Sequence, residues 1–80
     1  MLDELKTARR IIGIKQLRRA LSSGSVRKVF LAEDADPRLT EPVQILCETQ
    51  GIPFVYVPKM HELGKACAID VGAAAAGILR

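Results

Sequence analysis

Eighty residues, 49% of them hydrophobic, suffice for one packed domain spanning residues 1–80 and are too few for two. Aromatic residues make up only 4%, which speaks against a surface of stacking platforms for successive single-stranded bases and leaves the core to Ile, Leu, Val and Ala. The net charge of +3 conceals a division: residues 1–30 hold eight Lys/Arg against two acids, residues 31–80 four against seven, so the amino-terminal half calls for a polyanionic partner.

In chain order, Leu2, Leu5, Ala8 and Ile12 recur at helical spacing, with acids early and arginines late, and predict a first helix over about residues 3 to 9. A short extended segment from Arg10 to Gly13 follows. Leu17, Ala20 and Leu21 then form the buried stripe of a second helix, which Ser22-Ser23-Gly24 ends. Val26 to Ala32 contains the apolar run Val29-Phe30-Leu31-Ala32 and reads as a central strand covered on both faces. Glu33-Asp34-Ala35-Asp36-Pro37 is a turn into a helix, in which an Asp caps the first amides and Pro37 takes an early position. Leu39, Val43, Leu46 and Cys47 predict the inner face of that helix, and Gly51 terminates it.

A second buried strand is expected at Pro53 to Val57, and a short helix marked by Leu63, Ala66 and Cys67 after Pro58-Lys59. The tail from Val71 to Leu79 is locally ambiguous, since alanine favours helix whereas Gly72 and Gly77 disfavour a long one. Alternating strands and helices elsewhere favour a small α/β sandwich, in which an Ala-rich strand packs closely. The tail is assigned to a strand.

Few residues offer catalytic chemistry. Cys47 and Cys67 lack Cys-x-x-Cys spacing and a second histidine to complete a zinc set, and read as reduced thiols. His61, the single histidine, reads as an exposed residue of a polar loop. Glu33, Asp34 and Asp36 could gather Mg²⁺ at a strand end as in receiver-like folds, but capping and turn roles already account for them. Gly64-Lys65 has neither the preceding glycine nor the following Ser/Thr of a phosphate loop. No enzyme, metal or cofactor is expected. The amino terminus lacks the apolar core of a signal peptide and no run approaches membrane-spanning length, so a cytoplasmic protein without a membrane partner is expected.

The basic segment Gly13-Ile14-Lys15-Gln16-Leu17-Arg18-Arg19 is more informative. With Leu17, Ala20 and Leu21 inward, Lys15, Gln16 and Arg19 fall on an outward edge, with Arg18 further round. Gly13 and the first-turn amides add backbone donors for a phosphate. Arg and Lys match guanine O6 and N7, while a Gln amide both donates and accepts. Because a regular RNA duplex hides these edges, the expected target is a distorted RNA element.

Five ordered segments, Gly13 to Leu21, Val29 to Pro37, Leu46-Cys47-Glu48, Gly51-Ile52-Pro53 and Leu63 to Cys67, resemble the ribosomal protein seven-Ae family of kink-turn RNA binders. The ending Ile69 to Ala76 looks most like its small bacterial members, of the YbxF type. The resemblance implies a three-layer α/β/α sandwich around a mixed four-stranded sheet. It implies a non-enzymatic monomer that binds structured RNA, ribosomal or riboswitch-like, at a bulge bent by tandem sheared G·A pairs.

Archaeal and eukaryotic relatives carry Asn-Glu-x-x-Lys after the glycine, and Lys15, Gln16 and Arg19 occupy those places here. The resemblance further assigns Val57, Pro58, Lys59 and Met60 to a rim against nucleotides turned out of the bulge, and Asp36 to an acidic position near the flipped nucleotide. Retention of the fold as a protein-interaction or assembly module without RNA discrimination is the alternative.

Overall fold

Side chains on Val26–Ala32 alternate between two cores, and this alternation sets the architecture. Phe30 and Ala32 join one buried cluster with Leu5, Leu63 and Ile78, whereas Val29 and Leu31 join another with Leu17, Val43 and Cys47. Successive side chains of a strand point to opposite faces, so such a strand must be covered on both. The computed structural model describes Leu5 and residues 9–80, with the elements β1 (Arg10–Ile12), α1 (Ile14–Ser22), β2 (Val26–Ala32), α2 (Pro37–Gln50), β3 (Phe54–Val57), α3 (Met60–Ala66) and β4 (Ala75–Leu79). Apart from Leu5 and Arg9, the helix expected over about residues 3 to 9 lies outside the described residues.

The sheet order is β1-β4-β2-β3. The β2–β3 pair is parallel, while β4 runs antiparallel to both β1 and β2, so the sheet is mixed. Helices α1 and α2 cover one face and α3 the other, giving the three-layer α/β/α sandwich. Of the tail from Val71 to Leu79 only Ala75–Leu79 forms the expected strand, β4, in the interior of the sheet, while Val71 to Ala74 lead into it as irregular chain. Ala75, Ala76 and Ile78 are fully buried, and their small neighbour Gly77 lets α1 sit close to the sheet. A Cβ on Gly77 would come within 2.5 Å of Leu17 Cδ1.

Two expectations are corrected. The strand at Pro53 to Val57 shortens to Phe54–Val57 and forms a sheet edge, so Phe54, Val55 and Tyr56 are only half-buried. On α2 the buried stripe is Thr40, Val43 and Cys47; Leu46 is half-buried and Leu39 is 46% exposed. Residues 39 and 40 lie about 100° apart on a helix, and the core takes the flank that carries Thr40.

The ends of α2 follow its sequence signals. Asp36 accepts a 2.9 Å hydrogen bond from the Arg38 amide, Pro37 needs no partner for a missing N–H, and Gly51 closes the helix at φ 69°. His61 is exposed, but it belongs to the first turn of α3 rather than to a loop. Cys47 and Cys67 are free and buried, and burial, reinforced by Glu48, pushes the Cys47 thiol up to about 11. Burial raises the Cys67 thiol as well, with Arg10 opposing.

Candidate nucleic-acid interface

The pairing of the strands brings three helix starts to one end of the sheet. Gly13 ends β1 and donates to the Ala75 carbonyl (3.0 Å), Ala32 donates to the Ala74 carbonyl (2.9 Å), and Glu33 donates to the Val57 carbonyl (2.7 Å). These bonds tie the exits of β1 and β2 to the entry of β4, and the exit of β3 to that of β2. With strands about 4.8 Å apart, the row from β1 to β3 spans about 14 Å. Gly13, Asp36 and the segment 57–60 therefore share one edge of the molecule.

Gly13 is the N-cap of α1 at φ 102° and ψ 149°, a conformation that L side chains rarely adopt. A side chain there would also meet Gln16, whose Oε1 lies 2.9 Å from the place of a Cβ. Because the Gly13 amide is bound to Ala75, it is not open to a phosphate, contrary to the expectation above. The first-turn amides beyond it have no capping side chain.

Helix α1 carries Lys15, Gln16, Arg18 and Arg19 exposed, over the buried Leu17, Ala20 and Leu21. They lie along the outer side of the helix, between two grooves. Lys15 and Arg18 lean toward α2 and line an open groove with Ile14, Ser22 and Leu39. Gln16 leans the other way, over Ile11 and Leu79. Arg19 stands on the ridge between and borders both grooves. Among the described residues, none of the Lys15, Arg18 and Arg19 side chains makes an ion pair. Other cations of the basic half serve elsewhere: Arg10 Nη2 donates to the Cys67 carbonyl (2.9 Å), and Lys28 Nζ lies 5.2 Å from the Phe30 ring centroid.

Two of the three carboxylates of the β2–α2 turn are engaged. Asp34 Oδ1 accepts from the Met60 amide (2.7 Å), capping α3 where the N-cap residue Lys59 supplies no side-chain bond. Asp36 accepts from the Arg38 backbone and, through a fork, from Arg38 Nε (3.2 and 3.1 Å) and Nη2 (2.8 Å). This pairing holds the Asp36 carboxyl below its ordinary value and raises Arg38. The Arg38 side chain remains 90% exposed. Asp34 and Asp36 thus serve two different helices, and the described residues contain no cluster of three or more His, Cys, Asp or Glu fit for a metal ion.

In the segment after β3, Val57 is buried and Met60 half-buried against the core, so Pro58 and Lys59 present its exposed surface. Sequence reasoning missed three features: the exposure of Leu39, the Asp36–Arg38 fork and the Asp34 cap on α3. The fork had a local signal, an Arg two residues after a capping Asp, and the cap on α3 had half of one, an Asp two residues before that same Asp. The partner of Asp34, 26 residues on, was not legible.

A model of the ribosomal protein L7Ae/L30e/S12e/Gadd45 family matches residues 2–80. The chain belongs to this family. An RNA-binding protein of Bacillus pumilus is 48% identical to it over 69 residues, covering 86% of this chain and 84% of that one. The RNA-binding protein YbxF of Geobacillus stearothermophilus is 45% identical over 76 residues, covering 95% and 93%. The 15.5kD RNA binding protein of Giardia lamblia superposes with a TM-score of 0.90 at 27% identity, over 99% of this chain and 70% of that one. The L7Ae/L30e/S12e/Gadd45 frame therefore extends over the whole described sandwich, including the end of the sheet where the three helices start. No helix among the described residues is long and apolar enough to cross a membrane.

Proposed function

We propose that this chain is a non-enzymatic RNA-binding protein that recognises kink-turns and favours the kinked form by binding it preferentially. The observation that carries this reading is the cationic and amide surface of α1, with Lys15, Gln16 and Arg19 exposed beside an uncapped helix start. That surface shares its end of the sheet with Pro58 and Lys59. A cation and an amide suit purine edges in a groove opened by sheared pairs, and the first-turn amides suit a phosphate. Gly13 gives the chain its turn into α1, Arg19 and Lys15 supply charge, and Gln16 supplies an acceptor. The exposed Pro58 and Lys59, backed by Val57 and Met60, offer a rim for an unstacked nucleotide. Asp36, with its carboxylate already held by Arg38, serves that rim by orienting the guanidinium.

The relatives named as RNA-binding proteins support an RNA partner. In this proposal that RNA is ribosomal or riboswitch-like and the protein acts as a cytoplasmic monomer. Gel shifts of a kink-turn oligonucleotide against the same RNA with its G·A pairs converted to Watson-Crick pairs test the reading. The kinked RNA is expected to bind more tightly, and Gln16→Ala and Arg19→Ala to weaken it more than a plain duplex. Equal affinity for the two RNAs would leave an assembly module on the same fold.

A further inference from the structure

Among the described residues, folding leaves an apolar floor uncovered beside cations that make no ion pair. Leu39 falls on the helical stripe that should be buried, yet it is 46% exposed, and the half-buried Ile14 lies across the groove from it. Lys15, Arg18, Arg19 and Ser22 complete the lining of this open groove between α1 and α2, whose volume is about 500 Å³. Pockets for small organic groups fall in the range of about 300–1,000 Å³. Among the described residues no carboxylate lines it, and its charged groups are cations. The Ser22 hydroxyl is directed back to the Arg18 carbonyl at 3.0 Å.

An apolar floor with a cationic wall matches the two halves of a nucleotide, a base face and a phosphate. An acidic peptide would satisfy the charges, but Arg19 borders both this groove and the one holding Gln16, so the two surfaces are continuous across one helix. We infer that the α1–α2 groove takes an unpaired nucleotide of the bound RNA, its base resting on Ile14 and Leu39 and its phosphates meeting Lys15 and Arg18. This rests on the RNA-binding reading above and extends the footprint to Arg18 and Leu39, which lie outside it.

The test measures affinity of the whole chain and of the variants Arg18→Gln, Leu39→Ser and Leu39→Met for a kink-turn RNA at several salt concentrations. A series of the same RNA with one unpaired position at a time made abasic is measured alongside, and thermal melting establishes that each variant is folded. Arg18→Gln is expected to weaken binding and to reduce the slope of log affinity against log salt by about 0.8. Leu39→Ser is expected to cost about fivefold in affinity while Leu39→Met retains it. The loss caused by Leu39→Ser is expected to vanish on one abasic RNA, which identifies the nucleotide.

If Arg18→Gln and Leu39→Ser bind every RNA within twofold of the parent, the proposal is overturned and the groove is left to a protein partner. Loss with Arg18→Gln alone overturns it too, reducing the groove to a phosphate clamp. Failure of the parent to prefer the kinked RNA is a different result, against the kink-turn reading. In that case the same variants measured on an unpaired oligonucleotide decide the groove.

Discussion

Asp36 illustrates how one residue can hold a helix start and an exposed cation together. Its carboxylate caps α2 and binds the Arg38 guanidinium through both oxygens, so Arg38 is presented outward in a fixed orientation rather than as a free side chain. The pairing lowers the folded-state pKa of Asp36 below the ordinary 3.8. Because the carboxylate is favoured in the folded chain, its contribution to stability is present above that value and is lost as the pH falls through the lower, folded one. Carbon-detected NMR titration is expected to find the Asp36 midpoint below 3.8, and Arg38→Gln to return it toward that value. An unchanged midpoint in Arg38→Gln would mean that the fork is not maintained in solution.

At the scale of elements, α1, α2 and α3 begin in three different ways. Helix α1 has a glycine cap with no side-chain bond, α2 is capped by its own Asp36, and α3 borrows Asp34 from the turn after β2. The borrowed cap fixes the segment carrying Pro58 and Lys59 against the β2–α2 turn, next to the Glu33-to-Val57 bond. Removing a cap of this kind costs about 1 kcal/mol. Asp34→Ala is expected to lower thermal stability by about that amount and to weaken kink-turn binding, while Asp34→Asn, which keeps an acceptor, retains most of both. Denaturant melts with parallel gel shifts check this, and binding unaffected in a destabilised Asp34→Ala would separate the 57–60 segment from recognition.

Over the whole molecule, the candidate interface depends on how α1 is seated on β4. Gly77 faces Leu17, fully buried beneath the basic surface, and a methyl group there would overlap Leu17 Cδ1. Overpacking a well-filled core costs roughly 1–3 kcal/mol. Gly77→Ala is expected to lower the melting temperature and, by displacing α1 relative to the 57–60 segment, to reduce RNA affinity. Calorimetry and binding measured on the same preparation check the pairing of effects.

The run Val29-Phe30-Leu31-Ala32, the cap and proline at Asp36-Pro37, the Gly51 stop and the stripe of Leu17, Ala20 and Leu21 were legible because each rests on a local rule of periodicity or backbone geometry. The tail became a strand only by appeal to the alternation of the other elements, since alanine and glycine encode little preference for one. The exposed cations of α1 were likewise legible, but their division into two grooves was not. That division arises because α2 approaches one flank of the helix and the β1–β4 edge the other. Sequence by itself gave the order of the described elements and the basic helix, through patterns within single segments, and the family, through five segments in order. Tertiary structure alone decided which flank of α2 is buried, that Asp34 caps α3, and that Arg18 and Leu39 share a groove, because those outcomes depend on contacts between segments that no local pattern records.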